Sequence, residues 1–248
     1  MAGDISLQAL WNSASVHEHT FSAAELSRFP ESVQRYLKHV ISPRTLLSRA
    51  VRLRMHGEIK LQRWLPFKAE EVIVWERGFI WRATVRMFNM PIRGFDRLID
   101  GEGVMRWKLF GILPVVTASG PDVTRSGAGR INVESIWLPS VLCGDDVSWT
   151  TPDSSHLHAR FIAHADTADL EFAVNENGQL ETVKLARWGN PEGDEFHYVD
   201  FGAIVEEEKT FGGYTIPARL RIGWYFGTDR FESEGEFFRA TIDDATYR

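Results

Sequence analysis

The chain has 248 residues, of which 44% are hydrophobic and 25% charged, and a net charge of −6; that size and mix fit one large all-β domain better than two small ones. Its one cysteine, Cys143, excludes an internal disulfide, and apolar runs of a few residues fall far short of the roughly 20 that a membrane-spanning helix needs. The first basic residue is Arg28, so the start of the chain shows no charged region ahead of an apolar stretch and no Arg-rich transit character; the expectation is a soluble cytoplasmic protein of open oligomeric state.

The net charge hides a polarity. Residues 43–130 carry 16 Lys and Arg against 8 Asp and Glu, whereas residues 131–248 carry 9 against 22. A basic half is one footprint of a nucleic-acid binder, but no nucleic-acid motif accompanies it. The expected arrangement is therefore two halves that neutralise each other in one fold, with no nucleic-acid partner.

In chain order, residues 1–20 show no period and read as a loose extension. Ser22 and Glu25 have the form of a capping box with Phe21 and Leu26 as its staple. Pro30 suits the first turn of a second helix whose Val33, Tyr36, Leu37, Val40 and Ile41 share a face. Residues 1–42 are thus expected to be a helical arm packed on the sheet, and residues 43–248 a single curved antiparallel β domain.

Strand alternation then takes over. Leu65, Phe67, Ala69, Ile73 and Trp75 alternate with Lys68, Glu70 and Glu76, and Phe79, Trp81, Ala83, Val85 and Met87 alternate with Arg82, Thr84 and Arg86. A turn at Asn89-Met90-Pro91 would bring Asp96 opposite Thr84, between Arg82 and Arg86. Further strands are expected over 102–110, 112–118, 147–151, 156–164, 168–175, 179–188, 195–211, 214–226 and 232–244. Short turns between them dictate antiparallel pairing, since parallel pairing needs crossover helices. The spacing predicts an inserted helix over about 127–142, with Arg130, Glu134 and Trp137 on one stripe and Pro139 kinking or ending it.

Chemistry is sparse along the chain. An inward Glu134 would have its carboxyl raised by desolvation and lowered by Arg130, which suits acid or base work; the bland alternative is a surface ion pair. His156, His158 and His164 share a strand face, yet a catalytic metal usually needs three protein ligands and the rest of a shell is not identifiable, so no metal is expected. His17-Glu18-His19 lacks the HExxH spacing. Glu206-Glu207-Glu208 reads as a solvent-facing edge strand, and Cys143, just past a helix end, is a poor thiolate. The phosphate-binding, dinucleotide-binding and nucleophile-elbow motifs are absent, so no cofactor is expected.

The strings Phe29-Pro30-Glu31-Ser32-Val33-Gln34-Arg35-Tyr36-Leu37, Trp64-Leu65-Pro66-Phe67-Lys68-Ala69-Glu70, Gly78-Phe79-Ile80-Trp81-Arg82-Ala83 and Asp100-Gly101-Glu102-Gly103-Val104-Met105 resemble a bacterial family classed as a domain of unknown function. The block from Arg130 through Glu134 to Trp137-Leu138-Pro139-Ser140 is the most specific part, followed by Val147-Ser148-Trp149 and Ile216-Pro217-Ala218-Arg219. The resemblance spans roughly residues 29–246. It implies a strongly curved antiparallel sheet similar to lipoprotein-carrier half-barrels, with helices over the concave face, and it implies no activity. The His-rich strand and the N-terminal arm depart from it.

Three functions remain open. The first is binding of an apolar or amphipathic small molecule between sheet and helix, with Trp137, Trp81, Arg86, Asp96, Trp107 and Phe67 as candidate ligand contacts. The second is a cofactor-independent hydrolase, isomerase or cyclase using Glu134 and Arg130. The third is a scaffold that binds protein through its sheet edge or arm.

Overall fold

The computed structural model describes residues 5–16, 18–88 and 90–248. Its strands are β1 (Ala50–Lys60), β2 (Trp64–Val74), β3 (Gly78–Met87), β4 (Met90–Ile99), β5 (Glu102–Leu109), β6 (Leu113–Ser119), β7 (Ser148–Thr150), β8 (His156–Ala163), β9 (Asp166–Val174), β10 (Leu180–Gly189), β11 (His197–Phe211), β12 (Tyr214–Trp224) and β13 (Glu236–Tyr247). They form one open antiparallel sheet in the order β6-β5-β4-β3-β2-β1-β13-β12-β11-β10-β9-β8-β7. Two meanders therefore meet in the middle, where β1 pairs with β13. The connection from β6 to β7 joins the two outer edges, and it carries helix α3 (Pro121–Val133).

That connection reveals how far the sheet curls. A Cβ on Gly103 of β5 would lie 2.6 Å from the Thr124 backbone of α3, while Arg187 of β10 donates through Nε to the Ser126 carbonyl at 3.1 Å. β5 and β10 are eight strand steps apart, about 38 Å in a flat sheet at ~4.8 Å per step. They nevertheless touch neighbouring residues of a helix only ~10–12 Å thick. The sheet must close around α3 like a trough around a rod.

Helix α3 begins earlier than the expected 127–142. Gly120, at φ 110°, turns the chain, Pro121 takes the first helical position, and Asp122 supplies negative charge to the first turn. After Val133 the chain tightens into a 3₁₀ turn at Glu134–Trp137 and, past a non-helical Leu138, another at Pro139–Cys143. Pro139 cannot continue an α-helix, which explains the break.

The second helix, α2 (Glu31–Val40), buries Val33, Tyr36, Leu37 and Val40. Tyr36 packs on Trp149 and Phe172, so α2 fills the β7–β9 half of the trough. Ahead of it, Ala23–Arg28 is a 3₁₀ helix in which Ser22 makes no side-chain cap, although Phe21 and Leu26 are both buried. The expected loose extension contains helix α1 (Leu7–Asn12), capped by the Ser6 hydroxyl. Leu7 and Leu10 pack on Val72, Val74 and Ile80 of the outer sheet face. The uninterrupted run Val72-Ile73-Val74 is a strand buried on both faces. His17 lies outside the described residues.

Two expectations about the sheet fail, one of register and one of position. Asp96 pairs with Trp81, not Thr84, because β3 ends at Met87 and β4 already begins at Met90; Asn89 lies outside the described residues. The pairing is displaced by an odd number of residues, which moves Asp96 to the inner face, while Arg82 and Arg86 stay exposed outside. The Glu206–Glu208 run is not on an edge. It lies on β11 between β10 and β12, at a bulge where Glu206 and Glu207 both bind Arg219 and Glu208 binds His39.

Candidate functional site

The inner face carries a belt of aromatic rings in contact across six strands. Trp107, Trp81, Phe67, Phe238, Phe237 and Trp224 follow one another, and Phe201 ends the series, with successive centroids 4.8–6.5 Å apart. Strand alternation, with a bulge at Phe237 that turns it to the same side as Phe238, places these side chains on one side of the sheet, and the curl gathers them around a cavity of about 400 Å³. Its roof is α3 with the following 3₁₀ turn. Two glycines let the roof approach: a Cβ on Gly127 would press on Leu98 at 3.3 Å, and one on Gly129 would meet Arg187 at 2.9 Å.

Six charged residues line this apolar space: Glu71, Asp96, Arg97, Arg130, Glu134 and Arg187. Arg130 is the hub. Its Nε donates to Glu134 at 2.6 Å, one Nη to Glu71 at 2.8 Å, and the other to Asp96 at 3.5 Å. Its guanidinium lies 4.5 Å from the Phe79 centroid and 5.3 Å from that of Trp81. Asp96 also accepts from Trp107 Nε1 at 2.8 Å.

Three carboxyls thus compete for one guanidinium in a place water barely reaches. Burial, reinforced by Glu134, pushes the fully buried Glu71 carboxyl well above the carboxylate range against the opposing pull of Arg130. Burial also raises Glu134 and Asp96, with Arg130 opposing in both cases. One oxygen each of Glu71 and Glu134 is buried without a hydrogen-bond partner among the described residues. A proton on such an oxygen removes the cost of an unpaired buried charge.

Arg187 is different. It lies 4.5 Å from the Phe201 centroid and 5.2 Å from Trp224, and its hydrogen bonds go to the carbonyl and hydroxyl of Ser126. Among the described residues no carboxylate forms an ion pair with it. Burial, then repulsion from Arg130, pull its pKa down to about 9, leaving it charged at neutral pH.

Of the residues singled out in the sequence, Arg130, Glu134, Trp137, Trp81 and Asp96 line the cavity. Trp137 is anchored by a hydrogen bond from its indole to the Pro217 carbonyl at 3.1 Å. Phe67 and Trp107 stand behind the wall, in contact with Trp81. Arg86 is on the opposite, exposed face and takes no part, because alternation along β3 turns it away from the side that buries Val85. Glu71 and Arg187 were missed. Their signal was a charge in the apolar phase: Glu71 interrupts Phe67, Ala69, Ile73, and Arg187 continues Val183, Leu185.

The histidine strand gathers at no single point. His156 bonds to Asp153 at 2.8 Å and His164 packs edge-on against Trp75. Cys143 closes the last 3₁₀ turn, where burial pushes its thiol up to about 12.

No protein of curated function matches this chain. Two solved structures are similar in fold. A LolA superfamily protein from Nitrosomonas europaea is 10% identical, with 88% of this chain and 92% of that one covered and a TM-score of 0.45. A putative outer membrane lipoprotein-sorting protein domain from Vibrio parahaemolyticus is 7% identical, with 80% and 85% covered and a TM-score of 0.42. The expectation of a cytoplasmic protein is not upheld: the second of these structures is described as a putative outer membrane lipoprotein-sorting protein domain. No helix among the described residues is long and apolar enough to cross a membrane. The model of a family of unknown function, DUF6920, matches residues 27–247, and the chain belongs to that family.

Proposed function

We propose that this protein binds an apolar or amphipathic small molecule in the cavity between the inner sheet face and the α3 roof. The observation that carries this reading is the combination of an aromatic-walled space of about 400 Å³ with a buried cation, Arg187, that forms no ion pair among the described residues. Pockets of ~300–1,000 Å³ with a few convergent polar groups are the usual form of small-molecule sites. Well-packed apolar residues would stabilise the fold at least as well as a buried charge cluster, so a cluster kept beside a cavity points to a ligand. In this reading the tail lies along Trp81, Phe238 and Trp224, Trp137 closes the roof above it, and the polar head meets Arg187.

The test uses displacement of 1-anilinonaphthalene-8-sulfonate by palmitate and by hexadecanol. Both should displace the dye, and palmitate should do so at a concentration about tenfold or more lower, since a hydrogen bond to a charged group contributes ~1.5–3 kcal/mol. Arg187→Met should erase that preference while keeping the binding of hexadecanol. Ala203→Phe, which fills the cavity from β11, should abolish both. Dye binding and displacement that survive Ala203→Phe would refute the site.

One observation favours a second reading, a cofactor-independent enzyme: Glu134, with its carboxyl raised by burial, borders the cavity. In that case Glu134→Gln should abolish turnover of a hydrophobic substrate with little change in melting temperature. In the binding reading the same variant should only weaken affinity for the polar head.

A further inference from the structure

The acidic half neutralises the basic half only in part: Arg54 pairs with Asp244 and Arg130 with Glu134, but a row of cations on β2 to β5 is left over. The pairing of β2 with β3, β3 with β4 and β4 with β5 sets Lys68, Thr84, Arg93 and Lys108 in one row across the sheet. Arg86 is two residues further along β3. The inner face of these strands is the aromatic belt, so alternation puts this row on the outer face, where all four basic residues are exposed. Among the described residues none of the four forms an ion pair. Glu58, on the neighbouring β1, is 3.8 Å from Arg239.

Beyond the row comes a set of exposed apolar tips. In a meander every second turn falls at the same end of the sheet, so the β1–β2, β3–β4 and β5–β6 turns share one end. They carry Leu61 (59% exposed), Phe88 (72%) and Ile112 (76%), with Phe110 and Leu113 half exposed beside Ile112. Arg63 lies 3.5 Å from the Phe88 ring centroid. Phe88 and Phe110 have φ of 49° and 53°, a left-handed conformation that Gly or Asn adopts at lower cost. Large apolar side chains thus occupy turn positions where local backbone preference and solvent both disfavour them.

We infer that this end of the sheet is a docking rim for an anionic lipid bilayer. The geometry matches the layers of a membrane surface. Arg86 and Lys108 stand two residues, about 7 Å of extended chain, behind Phe88 and Phe110. When the tips enter the interface between headgroups and acyl chains, the basic row meets the headgroups. Aromatic and aliphatic tips gain from that partition, and the cations gain from the negative surface potential within a Debye length. A nucleic acid would use the cations and the phenylalanines, but it offers nothing to Leu61, Ile112 and Leu113, which cannot stack on bases. A second copy docked by β6, an edge strand of the sheet, would bring two basic rows together.

The experiment is co-sedimentation of the full chain with vesicles of phosphatidylcholine alone and of a phosphatidylcholine–phosphatidylglycerol mixture, at low and high salt. The protein should bind the mixed vesicles, bind neutral ones far more weakly, and dissociate in high salt. Each basic residue at the surface contributes about fivefold to partitioning, so reversing two charges in Arg86→Glu with Lys108→Glu should lower it more than ~20-fold. Phe88→Ser with Ile112→Ser should weaken binding to the mixed vesicles at low salt and abolish the weak binding to neutral ones. Arg160→Glu, an exposed control on β8, should change little. All of these side chains are exposed, so melting temperatures should hold. Ala203→Phe should bind vesicles like the wild type, which separates this rim from the cavity reading. Equal binding to neutral vesicles would overturn the proposal, as would insensitivity to both double variants. So would salt-dependent binding of duplex DNA without vesicle binding, or self-association in sedimentation velocity that only the tip variants abolish.

Discussion

Glu71→Gln tests the charge cluster at its most buried member. Glutamine keeps a carbonyl acceptor for Arg130 and cannot ionise. Two effects of opposite sign compete. If the folded protein holds Glu71 as a carboxylate paired with Arg130, removing the charge breaks a buried ion pair and costs about 3–5 kcal/mol. If desolvation wins, as the complete burial of Glu71 and the neighbouring Glu134 dictate, the wild-type carboxyl is protonated in the folded state. A carboxyl whose folded pKa lies above its unfolded value binds its proton more tightly when folded. Its contribution to stability is then fully present below the unfolded value, near 4.5, and is lost as pH rises toward the folded one. The loss is about 1.4 kcal/mol for each pH unit in that window. Glu71→Gln escapes this loss, so it should match the wild type near pH 4.5 and become progressively more stable above it, with Tm rising by ~2–4 °C per kcal/mol in a protein of this size. Urea unfolding of both proteins at several pH values between 4.5 and 8 measures the gap. A gap that stays constant, or a variant that becomes less stable as pH rises, would show that the Arg130 pairing outweighs desolvation and that Glu71 is ionised.

Two further predictions concern the roof and its end. Gly103→Ala should lower the urea midpoint, because its Cβ would sit 2.6 Å from the Thr124 backbone and push α3 off β5 at a cost of about 1–3 kcal/mol; an unchanged midpoint would mean that α3 does not press on the sheet there. Cys143, its thiol pushed up to about 12 by burial, should resist iodoacetamide at pH 8 in the folded protein and react once urea unfolds it. Labelling of the folded protein at the rate of free cysteine would contradict the burial.

Strand alternation, short turns and the absence of crossover helices determined a large antiparallel sheet from the sequence alone, because the side-chain period of a strand is local and repeats many times along this chain. The i, i+4 spacing of Arg130 and Glu134 was legible for the same reason, since both lie within one helical turn. What the sequence could not decide depends on distance along the chain. The face occupied by Asp96 rested on the register of one hairpin, and a turn shorter than expected by an odd number of residues moved it from an outer arginine pair to the inner cluster. Glu71 and Arg187 were visible as charges in an apolar phase, but only the curl of the sheet brings β2 and β10 to one cavity, and only that proximity explains why burying them is tolerable. The basic surplus of residues 43–130 was countable, yet its collection on the outer face beside exposed hairpin tips follows from the order of the strands. Periodicity fixes which way a side chain points relative to its own strand; closure of the trough, with α3 held against both of its sides, decides what it meets there.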